Sequence, residues 1–137
     1  MPDRLAVVDA SAVAALLFAE PRAAEVSRRL GDTPLVAPTL LRYEVASVCR
    51  KKIDRNPEQR KSLLRALALL DELNLREVEV SHEDVVTLAS HARITTYDAS
   101  YLWLARSLDV VLVTLDPRLH RAWRTRSAPH RPRRSRR

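Results

Sequence analysis

The order of elements in this chain predicts an α/β fold built on a mostly parallel sheet. Two apolar runs each end in a carboxylate: Leu5-Ala-Val-Val-Asp9 near the start, and Val110-Val-Leu-Val-Thr-Leu-Asp116 near the end. Unbroken apolar runs of this length fit strands covered on both faces, as in a parallel sheet between helices. Strand-like and helix-like stretches alternate through the chain, and that alternation belongs to α/β folds. Open sheets of this kind bind their ligands beyond the carboxyl ends of the strands. Asp9 and Asp116 are both expected there.

Ser11 to Ala19 reads as a helix that Ser11 or Asp9 can cap. Pro21 breaks it and is expected at the first position of a second helix, running to about Leu30. Gly31, the only glycine, stands where a helix end needs one. Leu35 to Ala37 is a short strand stopped by Pro38. Thr39 is expected to cap a helix from Leu40 to about Lys52, whose apolar stripe holds Leu40, Leu41, Val45, Val48 and Cys49. Glu44 falls within that stripe. An inward carboxylate is costly unless compensated, although a salt bridge or a place at the edge of the stripe would also accommodate it. After a break at Asp54 to Pro57, a long helix to about Leu73 is expected. Its leucines are generous for one helix, so part of the stripe can serve a dimer or a partner helix.

Glu77 to Val80 alternates in polarity and predicts an edge strand. Ser81 starts a further helix with Glu83 and Asp84 in its first turn. His82 and His91 lack metalloprotease spacing and read as ordinary histidines. Asp98 stands at the start of a helix through Ala105, and Asp116-Pro117 opens a short helix through Trp123. Taken singly, both of these acids read as caps.

One Cys in 137 residues excludes an internal disulfide, and one Gly excludes a Walker loop, a GxGxxG turn and a GxSxG elbow. No membrane span is expected, so the expected setting is a reducing cytoplasm. The net charge of +7 is unevenly spread: residues 118–137 hold nine Arg and no acid. The rest carries fifteen basic against seventeen acidic residues, a net of −2. A basic tail on a slightly acidic body suggests contact with a polyanion, or simply a solvated segment.

Asp9, Glu44, Asp98 and Asp116 form an all-oxygen, all-anionic set without a fitting His or Cys. Such a set suits Mg²⁺ or Mn²⁺ and metal-assisted phosphodiester hydrolysis. A phosphotransferase using Asp9 as nucleophile fits poorly, because Ser11 stands where a second Asp is wanted and no Lys follows Lys61. A non-catalytic nucleic-acid-binding module explains Asp98 and Asp116 as caps, but leaves Glu44 unexplained.

The chain resembles the PIN-domain ribonucleases, and among them the VapC toxins of toxin–antitoxin pairs. The resemblance rests on Val8-Asp9-Ala-Ser11, Arg42-Tyr-Glu44-Val-Ala46, Tyr97-Asp98-Ala-Ser-Tyr-Leu-Trp-Leu-Ala105 and Leu112-Val-Thr-Leu-Asp116. It implies a three-layer α/β/α fold with four or five strands in residues 1–124; the arginine-rich tail, 125–137, is more than the family needs. Asp9, Glu44, Asp98 and Asp116 would be the metal-site acids, supported by Ser11 and Thr114. It further implies an endoribonuclease dependent on Mg²⁺ or Mn²⁺, a homodimer, and a VapB-like antitoxin that lies across the active-site groove. The family's last strand is poorly matched by Arg124 to Pro129, so the fifth strand is very short or absent. Arg124, Arg126, Arg131, Arg133 and Arg134 are read as RNA contacts.

Overall fold

Three residues of β1 set the frame. In the computed structural model, which describes residues 4–125, β1 (Ala6–Val8) is buried on both faces, and Val7 and Val8 have no exposed surface. It pairs in parallel with β2 (Leu35–Pro38) on one side and with β4 (Val111–Val113) on the other. β2 in turn pairs with β3 (Leu75–Val78), giving the order β3-β2-β1-β4. The described sheet has four strands, all parallel; most of the stretch that would supply a fifth, Arg124 to Pro129, lies outside the described residues.

Parallel neighbours need a crossover, and helices supply each one. Helices α1 (Ala10–Leu17), α2 (Ala23–Leu30), α3 (Leu41–Arg55) and α4 (Arg60–Ala68) pack on one another. Helices α5 (His82–Ala92), α6 (Thr96–Leu108) and α7 (Pro117–Arg124) form the second set, with α6 lying on β1, β2 and β4. The result is the expected α/β/α arrangement. Its core gathers Val13, Val26, Val45, Leu41, Leu102 and Leu119, each with no exposed surface. Burying side chains of this size is worth about 1.5–3 kcal/mol each relative to exposure.

Several local expectations shift. Pro21 lies in a turn before α2, which begins at Ala23. Thr39 does not cap α3; Leu40 holds that place with no side-chain bond. The long helix expected over 57–73 is three pieces: a 3₁₀ turn Pro57–Gln59, then α4, then a second 3₁₀ turn Leu69–Glu72. Strand β3 lies two residues earlier than the Glu77–Val80 alternation suggests, because its register places Leu75 beside Leu35 and Val78 beside Pro38.

The helix ends are unusual for their lack of glycine. Gly31 closes α2 at φ 51°, as expected, but α5 and α6 close on Arg93 at φ 56° and Asp109 at φ 53°. Both are left-handed residues with side chains. Cys49 is buried against α4, as a core cysteine would be. Among the described residues no helix is long and apolar enough to cross a membrane.

Candidate active site at the carboxyl edge of the sheet

A parallel sheet delivers all its strand ends, and the helices that start there, to one edge. Asp9 is the N-cap of α1, Glu44 lies in the first turn of α3, Asp98 in the first turn of α6, and Asp116 is the N-cap of α7. The fold therefore brings the four acids together through one repeated device, a carboxylate at a helix N-terminus. That is where the helix dipole tolerates negative charge best.

Asp9 is the centre of the group and is 5% exposed. Val8 and Val113 are register partners, so Asp9 and Thr114 leave the sheet side by side. Thr114 Oγ1 donates to Asp9 Oδ2 at 2.5 Å and accepts the Asp116 N–H at 3.0 Å. Ser11 Oγ donates to Asp9 Oδ1 at 2.7 Å and accepts the Leu115 N–H at 2.9 Å. The Ala12 N–H completes the α1 cap on Oδ1 at 3.1 Å. The two hydroxyls thus tie the ends of β1 and β4 together through the carboxylate. A carboxylate has roughly four acceptor positions. Three are taken, which leaves about one for a ligand.

Asp116 Oδ1 accepts the N–H groups of Arg118 at 2.8 Å and Leu119 at 3.4 Å, so its capping role is real. Asp98 is different. Thr95 is the cap of α6, accepting the Asp98 N–H at 3.0 Å, and the Asp98 carboxylate stands half-buried at the third helical position. Glu44, also half-buried, accepts a 2.6 Å hydrogen bond from the hydroxyl of Tyr101. No salt bridge compensates Glu44 among the described residues.

The four acids feel one another. Burial pushes the Asp9 carboxyl above its usual range, hydrogen bonds from Thr114, Ser11 and Ala12 oppose that, and the Asp116 charge adds to it. Glu44 is raised by burial, with the charges of Asp98 and Asp9 contributing against the Tyr101 hydrogen bond. Asp98 is raised by burial and then by Asp116, while Thr95 and Arg118 pull it down. Like charges held together in partial burial create a standing demand for a cation.

Tyr101 was not singled out in the sequence, yet it touches the site. It is 1% exposed, and burial followed by its bond to Glu44 makes its hydroxyl far harder to ionise than usual, so it is a fixed donor. The available signal was spacing: Tyr101 lies three residues after Asp98, on the same side of α6. Arg118 was likewise missed; it is the cation whose field reaches Asp98.

The donor set fits a hard divalent cation by chemistry, being all carboxylate oxygen. Among the described residues, however, no three His, Cys, Asp or Glu side chains are drawn together into a ready-made metal cage. The acids share one edge of the sheet rather than a closed ligand sphere. His82 and His91 are exposed, in keeping with ordinary histidines. Of the tail arginines, Arg124 is the exposed last residue of α7, and Arg126, Arg131, Arg133 and Arg134 lie outside the described residues.

Known proteins share this plan. Residues 6–124 match the family described as PIN domain. The chain is 32% identical over 118 residues to Ribonuclease VapC3 of Pyrobaculum aerophilum, covering 82% of this chain and 90% of that protein. Its structure is similar to the crystal structure of PAE2754 from Pyrobaculum aerophilum, with a TM-score of 0.73 and 25% sequence identity over 89% of this chain and 81% of that one. The fold and these likenesses agree, and the chain belongs to the PIN-domain family as a relative of the VapC ribonucleases.

Proposed function

We propose that this protein is a cytoplasmic endoribonuclease, the toxin of a toxin–antitoxin pair, which hydrolyses RNA phosphodiester bonds with a Mg²⁺ or Mn²⁺ ion. The observation that carries the reading is Asp9: a nearly buried carboxylate with an acceptor position left over, ringed by three further acids whose charges reach one another. Asp9, Glu44, Asp98 and Asp116 would hold the ion. Bound there, the ion supplies a lowered pKa for a water nucleophile and charge stabilisation for the leaving oxygen.

The chain's own residues do the positioning. Ser11 and Thr114 fix both oxygens of Asp9, so its remaining lone pair has one direction. Tyr101 does the same for Glu44. Arg118, whose charge reaches Asp98, would hold a phosphate of the RNA near the acids. Arg124 and the arginines of residues 126–137, most of them outside the described residues, would add RNA contacts whose affinity falls with salt.

The proposed partners follow from the same kinship. A VapB-like antitoxin would cover that edge of the sheet, and an Arg of that partner could stand in for the metal's charge among the acids. The exposed leucines of the α4 region suit a homodimer contact or the partner's helix. A non-catalytic binding module draws support from Asp116, which spends one oxygen on capping α7. It leaves the half-buried Glu44 unexplained.

The test is cleavage of a mixed cellular RNA pool by purified protein freed of antitoxin, with Mg²⁺, with Mn²⁺ and with EDTA. Discrete cuts that need the metal are expected. Asp9→Asn should lower cleavage more than about 100-fold, beyond the 10–100-fold typical of losing an outer-shell partner. Cutting that survives EDTA or the variant would remove Asp9 and its metal from the mechanism.

A further inference from the structure

The chain has six aromatic residues. Phe18, Tyr101, Trp103 and Trp123 are buried or half-buried, whereas Tyr43 is 80% exposed and Tyr97 63%. Each exposed ring immediately precedes a site acid, Tyr43 before Glu44 and Tyr97 before Asp98. Exposed aromatic rings lose little by meeting water, but both exposed rings stand next to an acid at the same edge of the sheet.

Tyr97 differs from Tyr43 in having a cleft beside it. An open cleft of about 330 Å³ lies where β2 and β3 end, with Tyr97 in its wall and an apolar floor that includes Pro38, Leu40, Val80 and Val85. The volume is at the low end of ~300–1,000 Å³ for small-molecule sites. It suits a single ring system with its sugar. Ser100 also lines it, nearly buried, and spends its proton on the Thr96 carbonyl at 2.9 Å, so its oxygen is left to accept. Glu79 at the rim is an anion and disfavours a phosphate. Arg118, whose charge reaches Asp98, belongs to α7, which packs against β4 on the far side of β1. Phosphates are therefore drawn to the β4 side, and an uncharged group to the β2–β3 side.

We propose that this cleft receives one unpaired base of the RNA, stacked on Tyr97 with its edge toward Ser100, and so sets base preference beside the cut. The proposal rests on the nuclease reading for its substrate. Its chemistry is that of single-strand recognition, in which bases splay onto aromatic side chains and present their edges to polar groups. The contiguity is direct: Tyr97 is bonded to Asp98, and the Glu44 N–H donates to the carbonyl of Leu40 at 3.1 Å. A base in the cleft holds its own phosphate near the acids.

The test uses the full chain in EDTA, where RNA is bound and not cut. The probes are single-stranded RNA oligonucleotides carrying a fluorescent adenine analogue at successive positions, in a set that samples every neighbouring base. Stacking quenches the analogue. Quenching confined to one position is expected for the natural protein and for Tyr97→Phe, which keeps the ring. Tyr97→Ala should abolish that quenching and weaken binding about tenfold, within the range for loss of one stacked base. Tyr43→Ala should leave the quenched position unchanged. Unaltered emission at every position, as when the cleft serves a peptide instead, overturns the proposal, and so does quenching that survives Tyr97→Ala. Cleavage with Mg²⁺ is scored separately. RNA cut without a stacked base removes the base site and leaves the nuclease; a stacked base without cutting does the reverse.

Discussion

The strand ends around Asp9 and the outer layer around α4 break opposite rules. The first buries charge: Asp9 is 5% exposed beside three other acids. The second exposes apolar surface: α4 has no buried residue, and Leu64 and Leu69 are 41% and 46% exposed. In the first region every contact is directional, with Ser11, Thr114 and Ala12 aimed at one carboxylate. In the second, the leucines make no such directional contact with their side chains. The comparison teaches that a fold can depart from its own stability optimum in two ways. Buried like charges favour a small ligand of opposite sign. Uncovered leucines favour a large partner that removes them from water.

The largest expected effect is at the directional site. Thr114→Val keeps the shape but strips one hydroxyl from two partners, Asp9 Oδ2 and the Asp116 N–H. Leaving buried polar groups unpaired costs about 1–3 kcal/mol. Chemical denaturation of the metal-free protein should read that loss, and an unchanged midpoint would mean that the hydroxyl is not holding the strand ends together.

A second, intermediate effect has the opposite sign. Asp9→Asn removes a carboxylate that burial and Asp116 disfavour, so the metal-free variant should melt about 2–5 °C above the natural protein. The pH dependence follows from the same shifts. Asp9, Glu44 and Asp98 have folded pKa values raised above their ordinary ones. Their contribution to stability is full below the ordinary carboxylate range and is lost as pH rises through the raised values. Acidification from neutral down to the ordinary carboxylate range should therefore stabilise the metal-free protein. Glu25 works the other way, since Arg22 lowers its pKa, but that pair is at the surface and screened. A flat or falling stability over this interval would deny the crowding of the acids.

The smallest effect belongs to the apolar region. Leu64→Lys should change chain stability by no more than about 0.5 kcal/mol, as for other surface substitutions. It should nevertheless shift association with a second copy or with a partner, as sedimentation would read. A large loss of stability would mean that Leu64 belongs to the chain's own core.

The sequence was most legible in its apolar runs. β1 is buried throughout and β4 is buried but for Val111, so both read as unbroken apolar stretches, and the acids that follow them were expected at the carboxyl edge. The alternation of Glu77 to Val80 misled because polarity reports which face is wet, not where pairing begins; the register of β2 decided that. The break in the leucine-rich helix was hidden for a similar reason. Leu63, Leu64, Leu67 and Leu70 keep a helical period, and only packing shows that Leu70 is buried while Leu64 is not. Glu44 was found because a charge interrupted an apolar stripe. Tyr101 sat unnoticed in its own stripe because a tyrosine there looks like core, and its hydroxyl acquires meaning only once Glu44 is opposite.

The left-handed helix ends have a bearing on the chain before it folds. With Gly31 the sole glycine, Ala19, Arg93 and Asp109 adopt positive φ despite their side chains. Each such residue costs about 1–2 kcal/mol in the native state. The compensation lies in the denatured ensemble. A glycine there would let the unfolded chain wander more widely, by about 0.4–1 kcal/mol per site. Much of the strain at these three turns is therefore offset by a stiffer denatured chain, which has fewer conformations to give up when the helices close.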